Sequence, residues 1–237
     1  MNSNNSQTVP LGGKQRVLVS ELAGRSNVLA KAAELGLDLS PELATEVLEQ
    51  VKAAEHRGYA YEAADASFEL LVRKAAGAVP TWFLLDSYRV MIERSQAEDR
   101  SEAVVRLRLG DERVVAVGDG VGPVHALDQA LRRALSGFYP ALSGIHLADY
   151  KVRILDGRAE TSAVTRVMLT SADGVGEWTT VGVSDDIVTA SWEALTEGVA
   201  YGLLRAGAVP PTTEPPPASP APFINFPAHL TPLAEKV

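Results

Sequence analysis

One pattern occurs twice in this chain, and its clearest copy is VGDGVGPVHALDQAL, residues 117–131. The stretch VGVSDDIVTASWEAL, residues 181–195, repeats it 64 positions later. The residues shared with the second copy are Val117, Gly118, Val124, Ala126, Ala130 and Leu131. Each copy starts with a strand-like segment, passes through a turn and continues with apolar residues at helical spacing. The sequence therefore predicts, in both copies, a strand that leads directly into a helix.

The repeat extends upstream into segments that alternate between apolar and polar residues. Tyr88 recurs as Tyr150, and Arg106 recurs as Arg166, with offsets that change only between strand-like segments. Alternation of this kind is typical of half-buried antiparallel strands. The strands are predicted at 87–93, 102–109, 113–117, 149–155, 161–170 and 177–182, with helices from Gly122-Pro123 and over 185–205. We expect an α+β fold, a duplicated βββα unit with two three-stranded antiparallel sheets, whose pseudo-symmetric seam is a natural place for a ligand or partner.

The whole chain divides by composition into four parts. Residues 1–13 are predicted to be a flexible leader, 14–80 a helical linker subdomain, 81–206 the duplicated domain and 207–237 a proline-rich disordered tail. In the helical part, Ser26 and Asn27 are predicted to cap a first helix, Ser40 to start a second, and a third is predicted from about Tyr61 to Ala76. Phe223, Ile224 and Phe226 in the tail are either solvated or docked on the domain.

The bulk composition excludes several classes of protein. The chain has 237 residues, a formal net charge of −8 and no cysteine. An acidic chain of this kind is a poor partner for nucleic-acid phosphate, and without cysteine it has no disulfide, thiolate metal site or cysteine nucleophile. The polar start lacks the apolar stretch of a signal peptide, and no apolar run is long enough to span a membrane. We expect a soluble cytoplasmic protein with no nucleic-acid or membrane partner.

Few residues are arranged for catalysis or for metal binding. The four histidines are not spaced as paired metal ligands, and no Gly-x-Ser-x-Gly elbow occurs. His125 is interpreted as an exposed residue near a helix start, with a functional role as the alternative. No metal site and no cofactor are predicted in this chain.

Two polar or glycine-rich segments have both a structural and a functional interpretation. The turn from Gly118 to Pro123 could simply connect a strand to a helix, or its free N–H groups could hold a small carboxylate. The cluster of Ser20, Glu21, Arg25 and Asn27 could cap the first helix or line a site on another domain. The sequence alone leaves both questions open.

Several long motifs resemble one enzyme family. RVLVSELAGRSN, residues 16–27, and YAYEAADASFELL, residues 59–71, resemble the helical linker of citramalate synthases. GVGPVHALDQAL at 120–131, DYKVRI at 149–154 and WTTVGVSDDI at 178–187 resemble the regulatory domain of the 2-isopropylmalate synthase and citramalate synthase family. The resemblance covers about residues 11–205.

The resemblance implies an acyltransferase of which this chain is the non-catalytic half. Enzymes of the family condense acetyl-CoA with a 2-oxo acid in an N-terminal barrel that uses a divalent metal, and their C-terminal domain dimerises and binds leucine or isoleucine. By the same resemblance, the linker residues Arg25, Ser26 and Asn27 lie near the partner's active site. A barrel needs about 250 residues, and none of it is in this sequence. The chain is therefore expected to be inactive alone, whether as a fragment, as the partner of a separate catalytic chain or as a free-standing regulator.

The resemblance also implies the position of an effector site. Its expected residues are Gly120, Gly122, Pro123, Val124, Tyr150, Ile154, Ala163 and Ile187. The helical linker favours isoleucine, although leucine has the same size and could replace it. Two further functions compete with an amino-acid sensor: a structural dimerisation fragment that binds no ligand, and a complete enzyme of unrecognised chemistry.

Overall fold

The structure is a computed structural model, and it describes residues 24–94, 99–155 and 163–211. The predicted leader, Ser20, Glu21 and the tail from residue 212, with Phe223, Ile224 and Phe226, lie outside the described residues.

Between residue 24 and the first described strand, three α-helices each bury one apolar face. They are α1 (Arg25–Glu34), α2 (Pro41–Arg57) and α3 (Asp65–Ala75). Their buried side chains form a core of their own that includes Val28, Ala32, Ala44, Val47, Val51, Ala54, Phe68 and Val72. These residues recur at intervals of three, four or seven within each helix, as an amphipathic helix requires. The described part of the predicted helical segment is therefore helical, although the predicted third helix is interrupted. Residues Tyr61–Ala63 form a separate 3-10 turn, and Ala64 has the non-helical dihedrals φ −129° and ψ 64°.

The predicted cap of the first helix was wrong by two residues. The N-cap is Gly24, which has the extended backbone that this position needs, and no side chain caps the helix. Asn27 donates its backbone N–H to the Gly24 carbonyl at 2.9 Å, so Ser26 and Asn27 already lie in the first turn. The cap at α2 is as predicted, because the Ser40 hydroxyl oxygen accepts the Leu43 N–H at 3.3 Å.

Removing the Ser40 hydroxyl should therefore have a measurable cost. We expect Ser40→Ala to lower the free energy of unfolding by about 1 kcal/mol, because one N–H in the first turn of α2 loses its partner. Ser26→Ala is the matched control and should change stability by less than about 0.5 kcal/mol, because Ser26 is exposed and caps nothing. Urea unfolding of both variants measures the difference, and equal losses would contradict this account of the two helix starts.

In the described ranges from residue 84 onward, six strands and two α-helices form the duplicated part. The strands are β1 (Leu84–Arg94), β2 (Asp99–Leu109), β3 (Glu112–Gly120), β4 (His146–Ile154), β5 (Thr165–Ala172) and β6 (Glu177–Ser184). Helix α4 (Pro123–Leu135) follows β3, and helix α5 (Ile187–Arg205) follows β6. The first sheet has the order β1-β2-β3 and the second the order β4-β5-β6, both antiparallel. The predicted fold class, a duplicated βββα unit with two three-stranded sheets, is confirmed.

The repeated glycine and alanine residues explain how each helix packs on its sheet. A Cβ atom built on Gly118 would lie 2.3 Å from the Ala130 backbone nitrogen, and one on Gly182 would lie 2.0 Å from the Ala190 carbonyl oxygen. Both distances are far below van der Waals contact, so only glycine fits at these positions. The Val-Gly pair and the two alanines recur in both copies because the helix backbone rests directly on the third strand of each sheet.

The two sheets share one core but differ on their outer faces. Helices α4 and α5 and residues from both sheets contribute to a single buried cluster. On the second sheet, Met168 and its register partner Val181 pack against the helical linker. On the first sheet, the residue equivalent to Val181 is Val117, which is 41% exposed, and nearby Val115 is 59% exposed. The linker thus covers one outer face and leaves its counterpart open.

Candidate functional site

A groove of about 480 Å³ opens at the end of the first sheet, beside the start of α4. Strand register brings its walls together, since Met91 pairs with Glu102, Ser101 with Gly120, and Glu102 with Asp119. The lining residues are Met91, Glu93, Arg100, Ser101, Glu102, Asp119, Gly120, Val121 and His125. The groove therefore combines two apolar side chains with carboxylates, one guanidinium and one imidazole.

The start of α4 beside this groove has no side-chain cap. Its N-cap is Gly122, and the next residue, Pro123, has no N–H to donate. The N–H groups of Val124 and His125 belong to the first turn, where a helix offers no internal acceptor. An uncapped helix start attracts an anion through these N–H groups and the helix dipole.

The start of α5 is already occupied by a side chain. The Asp186 carboxylate accepts the N–H groups of Val188, at 2.6 Å, and Thr189, at 3.3 Å. This carboxylate fills the position that a ligand carboxylate would take. Although the two repeats are equivalent in topology, α5 has a side-chain cap and α4 has none.

His125 folds back over the turn that precedes α4. The Val121 N–H donates to His125 Nδ1 at 3.4 Å, and Gln129 Nε2 lies 3.4 Å from His125 Nε2. His125 is exposed and lines the groove. The side chain therefore supports the turn beside the groove.

The residues predicted for the effector site fall into two sets. Gly120 lines the groove, and Gly122, Pro123 and Val124 follow it directly at the start of α4. Tyr150 on β4 is linked to Ile187 on α5 through Ser191. The Tyr150 hydroxyl lies 2.8 Å from Ser191 Oγ, and the Ser191 hydroxyl donates to the Ile187 carbonyl at 2.6 Å.

The last two predicted residues lie at the open end of the second sheet. Ile154 ends β4 and is 63% exposed, whereas Ala163 is buried two residues before β5. The Leu155 N–H donates to the Val164 carbonyl at 2.9 Å, which ties these two segments together. Within the described residues, no hydrogen bond joins the first-repeat set to the second-repeat set. Their union in one pocket stays a prediction.

One contact between the repeats is absent from the predicted set. The Tyr88 hydroxyl lies 2.9 Å from Thr189 Oγ1, and the Tyr88 ring centroid lies 5.2 Å from that of Trp192. Tyr88 is on β1 of the first repeat, whereas Thr189 and Trp192 are on α5 of the second. Tyr88 is the repeat counterpart of Tyr150, which contacts Ser191 on the helix of its own repeat. Equivalence would therefore place Tyr88 against α4, and it gave no signal of the contact with α5.

The three linker residues that the resemblance places near a partner's active site, Arg25, Ser26 and Asn27, lie in the first turn of α1. Arg25 and Ser26 are exposed and Asn27 is partly buried. Their position near a partner's active site stays a prediction.

Acidic and histidine side chains do not converge on a metal site in the described part of the chain. In residues 24–94, 99–155 and 163–211, no group of three or more His, Asp or Glu side chains is placed to hold a metal ion. None of the helices in the same ranges combines the length and the apolar character needed to cross a membrane.

Comparison with known proteins agrees with this architecture. A family model described as the LeuA allosteric (dimerisation) domain matches residues 62–203. The (R)-citramalate synthase of Streptomyces coelicolor is 48% identical over 204 residues, which are 84% of this chain and 38% of that protein. The (R)-citramalate synthase of Synechocystis is 46% identical over 201 residues, 81% of this chain and 37% of the relative. A probable 2-isopropylmalate synthase of Methanopyrus kandleri is 28% identical over 189 residues, 80% and 37% of the two chains.

The chain thus spans a little over a third of the length of these curated relatives. The family model begins before α3 and extends through the duplicated βββα unit almost to the end of α5. The matched range contains both repeats and their two sheets, and the chain belongs to the LeuA allosteric (dimerisation) domain family.

Proposed function

We propose that this chain is the regulatory and dimerisation part of a citramalate synthase-like acyltransferase and that it binds isoleucine as a feedback inhibitor. The identity to (R)-citramalate synthases, 44–48% for four relatives, supports this choice over the 2-isopropylmalate synthase, at 28%. Condensation of acetyl-CoA with a 2-oxo acid would belong to a catalytic barrel outside this sequence. This chain would supply the sensor and the contact between subunits.

The observation that carries the proposal is the uncapped start of α4 beside the groove. A free amino acid has a carboxylate, an ammonium group and a side chain, and each finds a complementary surface here. The carboxylate fits the N–H groups of Val124 and His125. The ammonium group fits Glu102 and Asp119, register partners that line the groove from the sheet face opposite α4. The apolar side chain fits Met91 and Val121, and each methylene that it buries contributes about 0.8 kcal/mol.

A thermal-unfolding panel of the twenty amino acids tests the proposal. A ligand that binds only the folded chain raises its melting temperature by mass action. We expect isoleucine to give the largest rise, with smaller rises from leucine and valine and none from acidic or basic amino acids. A largest rise with leucine would indicate a leucine sensor of the 2-isopropylmalate synthase type.

The same panel separates a sensor from a purely structural domain. No response to any amino acid would favour a structural dimerisation fragment or a subunit that depends on a separate catalytic chain. An acetyl-CoA consumption assay with pyruvate, run with and without a chelator, would reveal catalysis by the chain itself. Its absence is expected, since the metal-dependent barrel is not in the sequence.

We also propose that a second copy covers the outer face of the first sheet. Register places the exposed side chains of Val115 and Val117 on this face, which adjoins the groove at Met91. Exposed apolar side chains that neighbour one another on a sheet face favour an interface. The equivalent face of the second sheet is covered by the helical linker, so a two-fold partner would complete the first sheet.

A charge placed on this face should weaken the dimer. We expect Val115→Asp to raise the dimer dissociation constant at least about tenfold, because a buried unpaired carboxylate costs more than about 1.4 kcal/mol. Val175→Asp is the control, since Val175 is 90% exposed in the β5–β6 turn. Sedimentation velocity over a concentration series measures both constants. A monomeric parent, or a variant that dimerises like the parent, would rule out this face.

A further inference from the structure

Another groove, of about 400 Å³, lies between helix α5 and the segment that leads into β1. Most of its lining is apolar, and its aromatic side chains are Trp82, Phe83 and Trp192. Leu84 and Leu85, at the start of β1, also line it and are 48% and 40% exposed. The described residues thus leave apolar surface open in this aromatic groove.

The charged side chains that line the aromatic groove neutralise each other. Lys74 Nζ on α3 lies 3.3 Å from Glu197 Oε1 on α5. The Glu197 carboxylate also accepts the Ser67 hydroxyl, so its oxygens are already bound. The aromatic groove therefore favours an apolar, uncharged occupant over an acidic or a basic one.

The described part of the chain ends close to the aromatic groove. Trp82 Nε1 donates to the Ala208 carbonyl at 3.1 Å, so the segment after α5 passes a residue that lines the groove. A Cβ atom built on Gly110 would lie 3.3 Å from the Pro211 carbonyl oxygen. Gly110 follows β2, the strand that pairs with the groove end of β1. Residues from 212 onward therefore start at this end of the first sheet.

The sequence that follows has the composition that the aromatic groove favours. Residues 215–234 contain no Asp, Glu, Lys or Arg. Phe223, Ile224 and Phe226 form an apolar cluster within this stretch, and a proline stands on each side of the cluster. Because proline fixes its own φ, the cluster loses less conformational entropy when it binds. The family match ends at residue 203, so the cluster is not part of the matched unit.

We propose that Phe223, Ile224 and Phe226 bind in the aromatic groove of their own chain. Phe223 is 12 positions beyond Pro211, and an extended chain of that length spans about 40 Å at most. The connection is therefore long enough, and it holds the cluster near the groove at an effective concentration in the mM range. Phenylalanine rings pack favourably against tryptophan rings, which the groove supplies. This inference is independent of isoleucine binding at α4.

A disulfide test in the full chain is unambiguous, because the chain has no cysteine. Thr81→Cys places a thiol at an exposed position of the aromatic groove, and Asn225→Cys places one within the apolar cluster. Val175→Cys with Asn225→Cys is the matched control. Val175 is 90% exposed, and its turn also lies near the end of α5, where Arg205 Nη2 donates to Asp173 at 3.4 Å.

The measurement is the rate at which the intrachain disulfide forms in a glutathione buffer. This rate is divided by the rate at which the thiol at position 81 or 175 reacts with a small disulfide reagent, which corrects for differences in thiol reactivity. The normalised rate for the Thr81 pair should exceed that for the Val175 pair at least about tenfold. Adding Phe223→Ser and Phe226→Ser should bring the two rates within about twofold of each other, because the cluster loses its aromatic side chains.

A further position in the aromatic groove guards against a variant that fails to fold. Thr196→Cys on α5 should behave like Thr81→Cys when it is paired with Asn225→Cys. Cooperative urea unfolding confirms that each variant is folded before its rate is compared.

Three results would overturn the inference. Equal normalised rates at the aromatic groove and at Val175 would show that the cluster does not bind in the groove. A rate ratio unchanged by the two serine substitutions would show that the aromatic cluster is not what binds. A disulfide that forms only between chains, at a rate that rises with protein concentration, would place the cluster in the groove of a second copy. Each of these results would leave the proposed amino-acid sensor standing, because calorimetric titration measures isoleucine binding separately.

Discussion

Gly182→Ala is expected to destabilise the folded chain by about 3 kcal/mol. The added Cβ would lie 2.0 Å from the Ala190 carbonyl oxygen and 2.9 Å from the Ala194 nitrogen. Both contacts are with backbone atoms of α5, so no side chain can rotate away to relieve them. The helix must instead move off β6, which opens the packing of the second repeat. Urea unfolding at a fixed protein concentration measures the loss.

The first repeat offers an equivalent glycine substitution, and a glycine with open space around it offers a control. Gly118→Ala should have a similar effect in the first repeat, because its Cβ would lie 2.3 Å from the Ala130 nitrogen. Gly137→Ala should be near neutral, because no atom lies within 4 Å of the added Cβ and the backbone there does not require glycine. Equal stability of Gly182→Ala and Gly137→Ala would contradict the explanation that the repeated glycine is needed for close packing of the helix on the strand.

The fold was predictable where local periodicity determines the structure. Alternation in the strands and helical spacing in α4 and α5 are local patterns, and duplication supplied each pattern twice. The ends of the strands were harder to predict from the sequence, because pairing with a neighbouring strand extends a strand beyond its alternating residues. β1 starts at Leu84, and β2 starts at Asp99 as the partner of Arg94, whereas the predicted strands began at 87 and 102.

The first helix shows the limit of residue preference. Ser26 and Asn27 are favoured cap residues, yet the chain enters the helix at Gly24. A cap residue needs extended backbone, and the hydrogen bond from Asn27 to Gly24 already closes the first turn. Residue preference alone does not show where that turn closes.

The candidate site was predictable only in part, for a related reason. Gly120 and the start of α4 are contiguous in sequence, so a motif reveals them. Met91, Glu102 and Asp119 come from three strands, and only their register brings them to one groove. The contact of Tyr88 with α5 depends on how the two repeats pack against each other, which no local pattern records.

Val124→Asp is expected to weaken isoleucine binding at least about 100-fold. The new carboxylate would lie at the start of α4, where the proposed ligand carboxylate binds. Two like charges about 4 Å apart near a protein surface repel by about 4 kcal/mol, which exceeds the roughly 2.7 kcal/mol that a 100-fold change needs. The fold should persist, because Val124 is only partly buried and an acidic residue in the first turn favours a helix.

Two controls separate a loss of binding at the start of α4 from a general effect of added charge and from unfolding of the chain. Val175→Asp adds the same charge in a remote exposed turn and should bind isoleucine like the parent. Urea unfolding of Val124→Asp should remain cooperative, with a free energy within about 1 kcal/mol of that of the parent. A variant that lost binding because it unfolded would fail this second measurement.

Calorimetric titration of isoleucine into the parent and Val124→Asp chains tests most directly whether this is an amino-acid sensor with its site at α4. The account predicts a saturable site in the parent and binding weakened at least about 100-fold in the variant. No binding to the parent, or equal affinity in the two chains, would contradict it.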